Sequence, residues 1–315
     1  SLPDQPNAIP YITSYYESRW GFCMTHKQRK ELQSGTYQVM IDSEFKSGVM
    51  NYAELILPGK SEEEVLLSTY ICHPSMANNE LSGPVVTTAL ASWISSLESH
   101  YYTYRIVFIP ETIGSITYLS QHLEHLKEKV IAGFNVTCIG DNYNYSFLPS
   151  RLGDSISDMV AKHVLNTIDK NYKKYTWLDR GSDERQYCAP NINLPIASIM
   201  RTKYGEYPEY HTSLDNLDFI SPEGLQGGYE ALKSSLEIIE NNFIFKTKIY
   251  GEPQLGRRGL YPTLSSKNQY QDVSLMMDII SFCDGKNTVL DIALVLNKEF
   301  NQVFKILKVL EENEI

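Results

Sequence analysis

Three segments of the chain combine potential metal ligands with the ends of apolar strands. In the first, an apolar run from Val65 leads directly into His73 and a polar turn. The other two surround Glu111 and His211. Together the three segments contain His73, Asn79, Glu80, Glu111, His211 and Asp215. Histidines and carboxylates are the usual ligands of a catalytic zinc ion, which keeps one position open for water. The residue types therefore predict a zinc site.

The predicted ligands of a single zinc ion are His73, Glu80 and His211, with Asn79 as the alternative to Glu80. Glu111 is the predicted base, which would take a proton from the water that the metal activates. The competing interpretation of His73 is a structural histidine that follows a buried strand. For Glu111, it is an acidic residue at the N-terminus of a helix, where the helix dipole favours negative charge. The polar turn after His73, and the grouping of these side chains, favour the catalytic interpretation.

A second group of residues is predicted to bind substrate. Its members are Asp183, Glu184, Tyr187 and Tyr204. Asp183 or Glu184 would hold a substrate amine, although Asp183 equally fits the N-cap of a helix. The two tyrosines would line the pocket. Asp215 lies four residues after His211 and would orient its imidazole.

Apolar strands alternate with amphipathic helices through the middle of the chain. The predicted strands are Glu64–Cys72, Tyr104–Ile109, Ile131–Ile139 and Pro195–Met200, and the predicted helices are Gly83–Leu97, Ser115–Lys127, Ser155–Leu165 and Pro222–Asn241. This alternation predicts an α/β fold with a doubly wound, mostly parallel sheet. Ligands bind at the carboxyl ends of the strands in such sheets, and His73 and Glu111 each follow a predicted strand directly.

Three domains are expected. Residues 1–60 are predicted to form a small β-rich domain, with strands that begin at Tyr37 and Tyr52. Residues 61–250 are predicted to form the α/β core, and 251–315 combine a linker with a winged-helix-like domain. Its three predicted helices are Ser274–Cys283, Val289–Leu296 and Asn301–Glu312, and a turn at Asp284 separates the first two. Acidic residues outnumber basic ones from Gly251 onward. That balance disfavours nucleic-acid binding and favours an oligomerisation or protein-contact role, such as a homo-oligomer.

Composition narrows the class of protein. The 315 residues carry a formal charge of −10, which argues against a surface for polyanions. The five cysteines are widely spaced and are expected to be reduced thiols, which is typical of a cytoplasmic protein. No apolar run reaches the roughly 18 residues of a membrane span, so no membrane association is expected. The chain starts without methionine in a loop-like segment, which is typical of a piece of a longer protein.

At these motifs the sequence resembles the zinc aminopeptidase superfamily, which also contains the glutaminyl cyclases. The resemblance rests on Tyr-His-Thr-Ser-Leu-Asp at 210–215 and on Leu-Ser-Gly at 81–83. More closely, the chain resembles an aminopeptidase-like family of poorly defined function, which has a small inserted β domain and a C-terminal winged helix. The matching segments are Pro10–Tyr16, Arg19–Cys23, Cys72–Ser75 and Gly205–Ser213. They extend the resemblance over essentially the whole chain.

The sequence departs from the superfamily pattern at several ligand positions. Ser75 replaces the Asp that would orient His73, and Asn79 stands where the family has a metal-bridging Asp. Thr112 replaces the second residue of a Glu-Glu pair, and Thr137 is the nearest match to a strand-end Asp ligand. Because two metal-binding carboxylates are missing, the resemblance implies one zinc ion rather than two.

The sequence therefore predicts a single-zinc metallo-exopeptidase, aminopeptidase-like, or an amidohydrolase that acts on a small peptide or an amide-containing small molecule. One alternative is a catalytically degenerate peptidase fold that binds a ligand and has a regulatory role. Another is amide cyclisation of the kind that glutaminyl cyclases perform.

Overall fold

A seven-stranded sheet forms the centre of the molecule. The computed structural model describes residues 1–13, 17–260 and 267–315, with side chains of the last range from 273 onward. The strands are β1 (Ala53–Leu57), β2 (Glu64–Tyr70), β3 (Thr103–Ile109), β4 (Val130–Asn135), β5 (Ser146–Leu148), β6 (Lys173–Lys174) and β7 (Ile196–Met200). Their order in the sheet is β1-β3-β2-β4-β7-β5-β6. Four neighbouring pairs are parallel, and β1–β3 and β5–β7 are antiparallel. The prediction of a mostly parallel sheet is confirmed.

Side-chain alternation along the central strands creates two buried faces. In β2, Val65 and Leu67 join one hydrophobic cluster, whereas Leu66 joins another. Because successive strand residues point to opposite faces, a continuous apolar run buries both sides of the sheet. Helices α2 (Ser82–Ser96), α4 (Ile156–Ile168) and α6 (Pro222–Asn241) contribute to the first cluster, and α3 (Ile113–Lys129) contributes to the second. This is the predicted doubly wound arrangement.

Local sequence explains where the long helices begin. Ser155 accepts the backbone N–H of Asp158, whose carboxylate accepts the N–H of Ser155, and this reciprocal capping starts α4. Ser221 caps α6 in front of Pro222, a residue that suits the first position of a helix because it has no N–H to leave unpaired. A short helix α5 (Glu184–Tyr187) precedes β7.

The N-terminal region differs from the predicted strands. Within residues 1–60, the described part contains α1 (His26–Glu31) and β1. The predicted strand that begins at Tyr37 is not assigned as a strand, and apolar side chains such as Met40 and Phe45 are exposed there. β1 instead pairs with β3 at the edge of the main sheet. An alternating segment forms a strand only where a neighbouring backbone supplies its hydrogen bonds. β3 supplies them to β1 but not to the segment that begins at Tyr37.

The described C-terminal region contains three α-helices and a two-stranded sheet. The elements are β8 (Ile244–Lys246), α7 (Lys267–Ser281), β9 (Asp284–Thr288), α8 (Val289–Leu296) and α9 (Phe300–Glu312). The bounds of α8 are those that the sequence predicts. The predicted turn at Asp284 is instead the start of β9, which pairs antiparallel with β8. Residues 261–266 of the predicted linker, and 14–16 of the first family motif, lie outside the described part.

The winged-helix region packs against the α/β core. One hydrophobic cluster contains Leu236 of α6 together with Leu290 of α8 and Val303 of α9. The backbone N–H of Phe300 also donates to Nε2 of His163 on α4, at 3.0 Å. The described helices include none that is long and apolar enough to cross a bilayer.

Candidate active site

The two predicted histidine ligands meet beyond the carboxyl end of β2. His73 follows this strand, and His211 lies in the loop between β7 and α6. Their Nε2 atoms are 3.2 Å apart, although the residues are 138 positions apart in the chain. Tyr210 stacks on the ring of His211 with centroids 3.9 Å apart, and the Tyr11 ring lies 4.4 Å from that of His73. The structure therefore fixes both imidazoles between aromatic side chains.

Burial keeps both imidazoles neutral at neutral pH. It lowers the pKa of His73, and burial together with the neighbouring His73 lowers the pKa of His211 to about 4. Only a neutral imidazole has a free nitrogen lone pair for a metal ion. Both side chains are thus in the protonation state that metal binding requires.

Glu80 lies on a π-helical turn, Ala77–Leu81, that precedes α2. Its Oε1 is 3.9 Å from Nε2 of His73, and its Oε2 accepts the backbone N–H of Cys72 at 2.8 Å. Asn79 Nδ2 donates to Oε1 of Glu80 at 2.5 Å, while Asn79 Oδ1 is buried without a hydrogen-bond partner. Burial raises the pKa of Glu80 to about 8. The structure thus places the other two predicted ligands, Glu80 and His211, at 3.9 and 3.2 Å from Nε2 of His73.

The turn that carries Glu80 is fixed by Asp215. The Asp215 carboxylate accepts the backbone N–H groups of Ala77, Asn78 and Asn79 at 3.1, 2.6 and 3.0 Å. Asp215 follows His211 by four residues, so these bonds join the two ligand-bearing loops to each other. The sequence predicts that Asp215 orients the imidazole of His211, whereas the structure shows its carboxylate bonded to the backbone of the Glu80 turn and to the hydroxyl of Tyr207.

The pairs that His73 forms with His211 and with Glu80 lie near the spacing of zinc ligands, but these three residues are not among the described groups whose ligand atoms all lie within 4.8 Å of one another. Two nitrogen ligands of a tetrahedral zinc lie about 3.3 Å apart, given Zn–N distances of roughly 2.0–2.1 Å. The separation of 3.2 Å between His73 and His211 is close to this value, and 3.9 Å to Glu80 is somewhat longer. Two imidazoles and a carboxylate are ligands of known catalytic zinc sites.

A second group of potential ligands shares His73. Within the described residues, Cys72, His73 and Glu111 offer ligand atoms that all lie within 4.8 Å of one another. Burial and the nearby carboxylates raise the pKa of the Cys72 thiol to about 11, so this thiol is protonated at neutral pH. We favour the His73, Glu80 and His211 set because it contains both histidines, whose Nε2 atoms are 3.2 Å apart.

Glu111, the predicted base, follows β3 and lies beside His73. Burial raises its pKa, whereas the charge of Arg185 and a hydrogen bond with Ser182 oppose that rise. The next residue, Thr112, has a φ of 62°, which is uncommon for a residue other than glycine. Its backbone N–H donates to Asp183 Oδ1 at 2.8 Å. Asp183 therefore supports the backbone that positions Glu111.

The four residues predicted to bind substrate lie in buried hydrogen-bond networks next to Glu111. Asp183 Oδ1 also accepts from Ser115 Oγ, but its Oδ2 is buried without a partner. Burial raises the pKa of Asp183 to about 7. Glu184 accepts the hydroxyl of Tyr204 at 2.7 Å, in addition to backbone N–H groups. Tyr187 is fully buried. Of the four, Asp183 is the one with an unused polar atom, and their predicted role in substrate binding stays a prediction.

The positions where the sequence departs from the superfamily pattern have structural roles. The Thr137 hydroxyl bonds with the hydroxyl of Tyr70 and the carbonyl of Asn79. Asp141, just beyond Thr137, is fully buried and accepts from Asn78 and Thr202. The polar groups of Thr137 and Asp141 are thus engaged in hydrogen bonds within the protein.

Comparison with known proteins shows the family. Residues 10–242 match the model of a Domain of unknown function (DUF4910), and residues 243–315 match a winged helix-turn-helix. The first match covers most of the chain, so the chain belongs to the DUF4910 family. It is 40% identical over 305 residues to a putative polysaccharide biosynthesis protein with an aminopeptidase-like domain from Clostridium acetobutylicum, covering 96% of this chain and 70% of that protein.

Solved structures show the same fold. A putative peptidase from Clostridium acetobutylicum is 38% identical, with a TM-score of 0.91 and coverage of 99% of this chain and 71% of that one. A zinc aminopeptidase from Bacillus subtilis is 17% identical, with a TM-score of 0.51 and coverage of 60% and 49%. A glutaminyl cyclase from Porphyromonas gingivalis is 16% identical, with a TM-score of 0.50 and coverage of 60% and 77%. The resemblance to this superfamily, and the C-terminal winged helix, are confirmed.

Proposed function

We propose that the protein is a single-zinc, aminopeptidase-like exopeptidase or amidohydrolase. The observation that carries this proposal is the approach of His73 and His211 to 3.2 Å, with Glu80 and Glu111 beside them. His73, Glu80 and His211 would hold the zinc ion. When bound, zinc polarises a carbonyl group and lowers the pKa of water.

The protein's own side chains supply the proton transfers. Glu111 takes a proton from the water that attacks the amide carbon, and it then donates a proton to the leaving amine as the C–N bond breaks. Its raised pKa suits both steps, because a group that must accept and then donate works best when its pKa is near the pH of the reaction. Asp183, with its unused Oδ2, would hold the amine of the substrate.

The substrate class is a small peptide or an amide-containing small molecule. Acylated amino sugars belong to this class, and the relative from Clostridium acetobutylicum is described as a putative polysaccharide biosynthesis protein. For the winged-helix region a role in protein contacts is proposed ahead of nucleic-acid binding, because acidic residues outnumber basic ones from Gly251 onward.

A ligand-binding protein without catalysis is the second candidate. The observation that favours it is the same 3.2 Å separation, which also fits a direct hydrogen bond between two neutral imidazoles. In that case each histidine satisfies the other without a metal ion. Asn79 and Thr112, which stand in place of family carboxylates, are consistent with this candidate.

The deciding experiment is elemental analysis of protein stripped of metal and reloaded with zinc. We expect about one zinc per chain, with binding lost in His211→Ala and retained in Glu111→Gln. The Glu111→Gln variant keeps the shape of the side chain but removes the base, so it should lose turnover of amide substrates. Wild-type protein that binds no zinc would refute the hydrolase and support the ligand-binding protein. Peptides with N-terminal Gln, assayed for cyclised product, test the cyclase alternative.

A further inference from the structure

A cavity lies at the β6 edge of the sheet, and its lining contains none of the residues of the candidate active site. Its volume is about 440 Å³. The walls come from β5, the loop that follows it, α4, and the segment from Tyr172 to Trp177. Cavities of roughly 300–1,000 Å³ are typical of small-molecule sites, so this one is large enough for a compact ligand.

Three basic side chains surround the cavity, and its described lining contains no carboxylate. They are Arg151, Lys162 and Lys174. Among the described residues, none of the three has an Asp or Glu oxygen within 4.0 Å. The chain as a whole carries a charge of −10, so the charge of the cavity lining is opposite in sign to the net charge of the protein. A cleft lined by one sign of charge concentrates ligands of the opposite sign.

Lys162 and Arg151 each have N–H groups left to donate to a ligand. Lys162 Nζ donates to the carbonyl of Gly153 at 2.9 Å, which uses one of its three N–H groups. Arg151 donates to Asn193 Oδ1 through Nε and Nη2, which leaves Nη1. Two acids bond to residues of the lining: Asp158 accepts from Ser150, and Asp179 accepts from Thr176. Neither forms an ion pair with Arg151, Lys162 or Lys174 among the described residues.

Aromatic rings form the remaining wall. They are Phe147, Tyr172, Tyr175 and Trp177. Lys162 lies 5.6 Å from the centre of the Phe147 ring, and Lys174 lies 4.8 Å from that of Tyr172. The cations and rings are thus interleaved around one space. Aromatic faces bind planar or ring-shaped groups, while Arg and Lys bind phosphate.

We propose that this cavity binds a phosphorylated ring compound, namely a nucleoside phosphate or a sugar phosphate. The phosphate contacts Arg151, Lys162 and Lys174, and the ring of the ligand packs on the aromatic wall. This site is separate from the proposed zinc centre, so it neither needs the metal ion nor depends on the proposed hydrolase activity.

The test is isothermal titration of the zinc-reloaded protein with uridine monophosphate, glucose 1-phosphate, uridine and inorganic phosphate. We expect at least one of the two phosphorylated ring compounds to bind at least about tenfold more tightly than uridine or inorganic phosphate, with an affinity that falls as salt is added. The two phosphorylated probes distinguish a nucleoside from a sugar source. If neither binds at millimolar concentration, or if uridine binds equally well, the proposal is wrong.

Two variants locate the binding. Arg151→Gln and Lys174→Gln should each weaken the phosphorylated probe about tenfold, because each removes a charge-assisted hydrogen bond. Lys173→Gln is the matched control, since Lys173 is an exposed neighbour that does not line the cavity. Equal loss in the control would overturn the assignment. His211→Ala should keep the binding, which separates this proposal from that of the zinc site.

Discussion

Acidic side chains removed from water lie near both ends of strands β2 and β3, and their pKa values shift in opposite directions at the two ends. Near the amino ends, Arg105 donates to both carboxylate oxygens of Glu64, at 2.6 and 2.9 Å. Burial by itself would raise the pKa of Glu64, but the hydrogen bonds and charges of Arg105 and His125 lower it below its usual value. Near the carboxyl ends, burial raises the pKa values of Glu80 and Glu111.

The difference distinguishes a cluster that a buried cation compensates from a cluster in which burial dominates the pKa values. A buried carboxylate costs free energy unless a cation and hydrogen bonds compensate for the lost water. Arg105 provides that compensation for Glu64, so the first cluster is complete within the protein. Glu80 lies close to His73, which is neutral, so its compensating cation would be the metal ion that we propose. Strongly shifted pKa values of this kind concentrate at functional sites.

The largest expected effect comes from breaking the buried ion pair between Arg105 and Glu64. Arg105→Met should lower the free energy of unfolding by about 3–5 kcal/mol, because it leaves Glu64 buried without its cation. Urea unfolding of the metal-free protein measures this change. The double variant with Glu64→Gln is the control, and it should recover part of the loss. A loss below about 1 kcal/mol would show that water already compensates Glu64.

A smaller effect of opposite sign is expected at Glu80. The unfolded chain releases the Glu80 proton near the ordinary glutamate pKa of 4.5, whereas the folded protein releases it near a pKa of about 8. Between these values the unfolded state binds fewer protons, so metal-free wild type should lose stability relative to Glu80→Gln as the pH rises. The difference should reach at least about 1 kcal/mol.

Urea unfolding in the presence of a chelator, at a series of pH values across that window, measures this difference. Glu64→Gln provides the contrast. The Glu64 pair contributes stability above the usual carboxylate pKa and loses it as the pH falls through the lowered folded value. If the difference in unfolding free energy between wild type and Glu80→Gln stays constant across these pH values, the pKa of Glu80 is not raised in the folded protein.

The smallest effect is expected at His125, which lies beside the Arg105–Glu64 ion pair. His125 Nε2 lies 2.8 Å from Glu64 Oε1, but its side chain is 44% exposed. Water therefore screens the contact, and His125→Ala should cost no more than about 1 kcal/mol at neutral pH. Thermal or urea unfolding checks this value. A loss comparable to that of Arg105→Met would mean that His125, rather than Arg105, compensates Glu64.

Much of the fold can be predicted because local periodicity specifies it. The apolar run after Glu64 predicts a strand that is buried on both faces, and β2 is such a strand. The helix Val289–Leu296 has the bounds that the sequence predicts, since Thr288 caps it and Asn297 ends it in a left-handed conformation. The strand predicted at Tyr37 is absent from the described part, because alternation alone does not supply a partner backbone.

The sequence by itself determined the types of the site residues and their places after strands, as for His73 and Glu111. Only the tertiary structure decided that His211 comes to lie 3.2 Å from His73, that Asp215 fixes the Glu80 turn, and that Asp183 supports the backbone after Glu111. The physical reason is the range of the interactions. Periodicity and capping act within a few residues, whereas burial, pKa shifts and metal geometry depend on segments that meet only when the whole chain is folded.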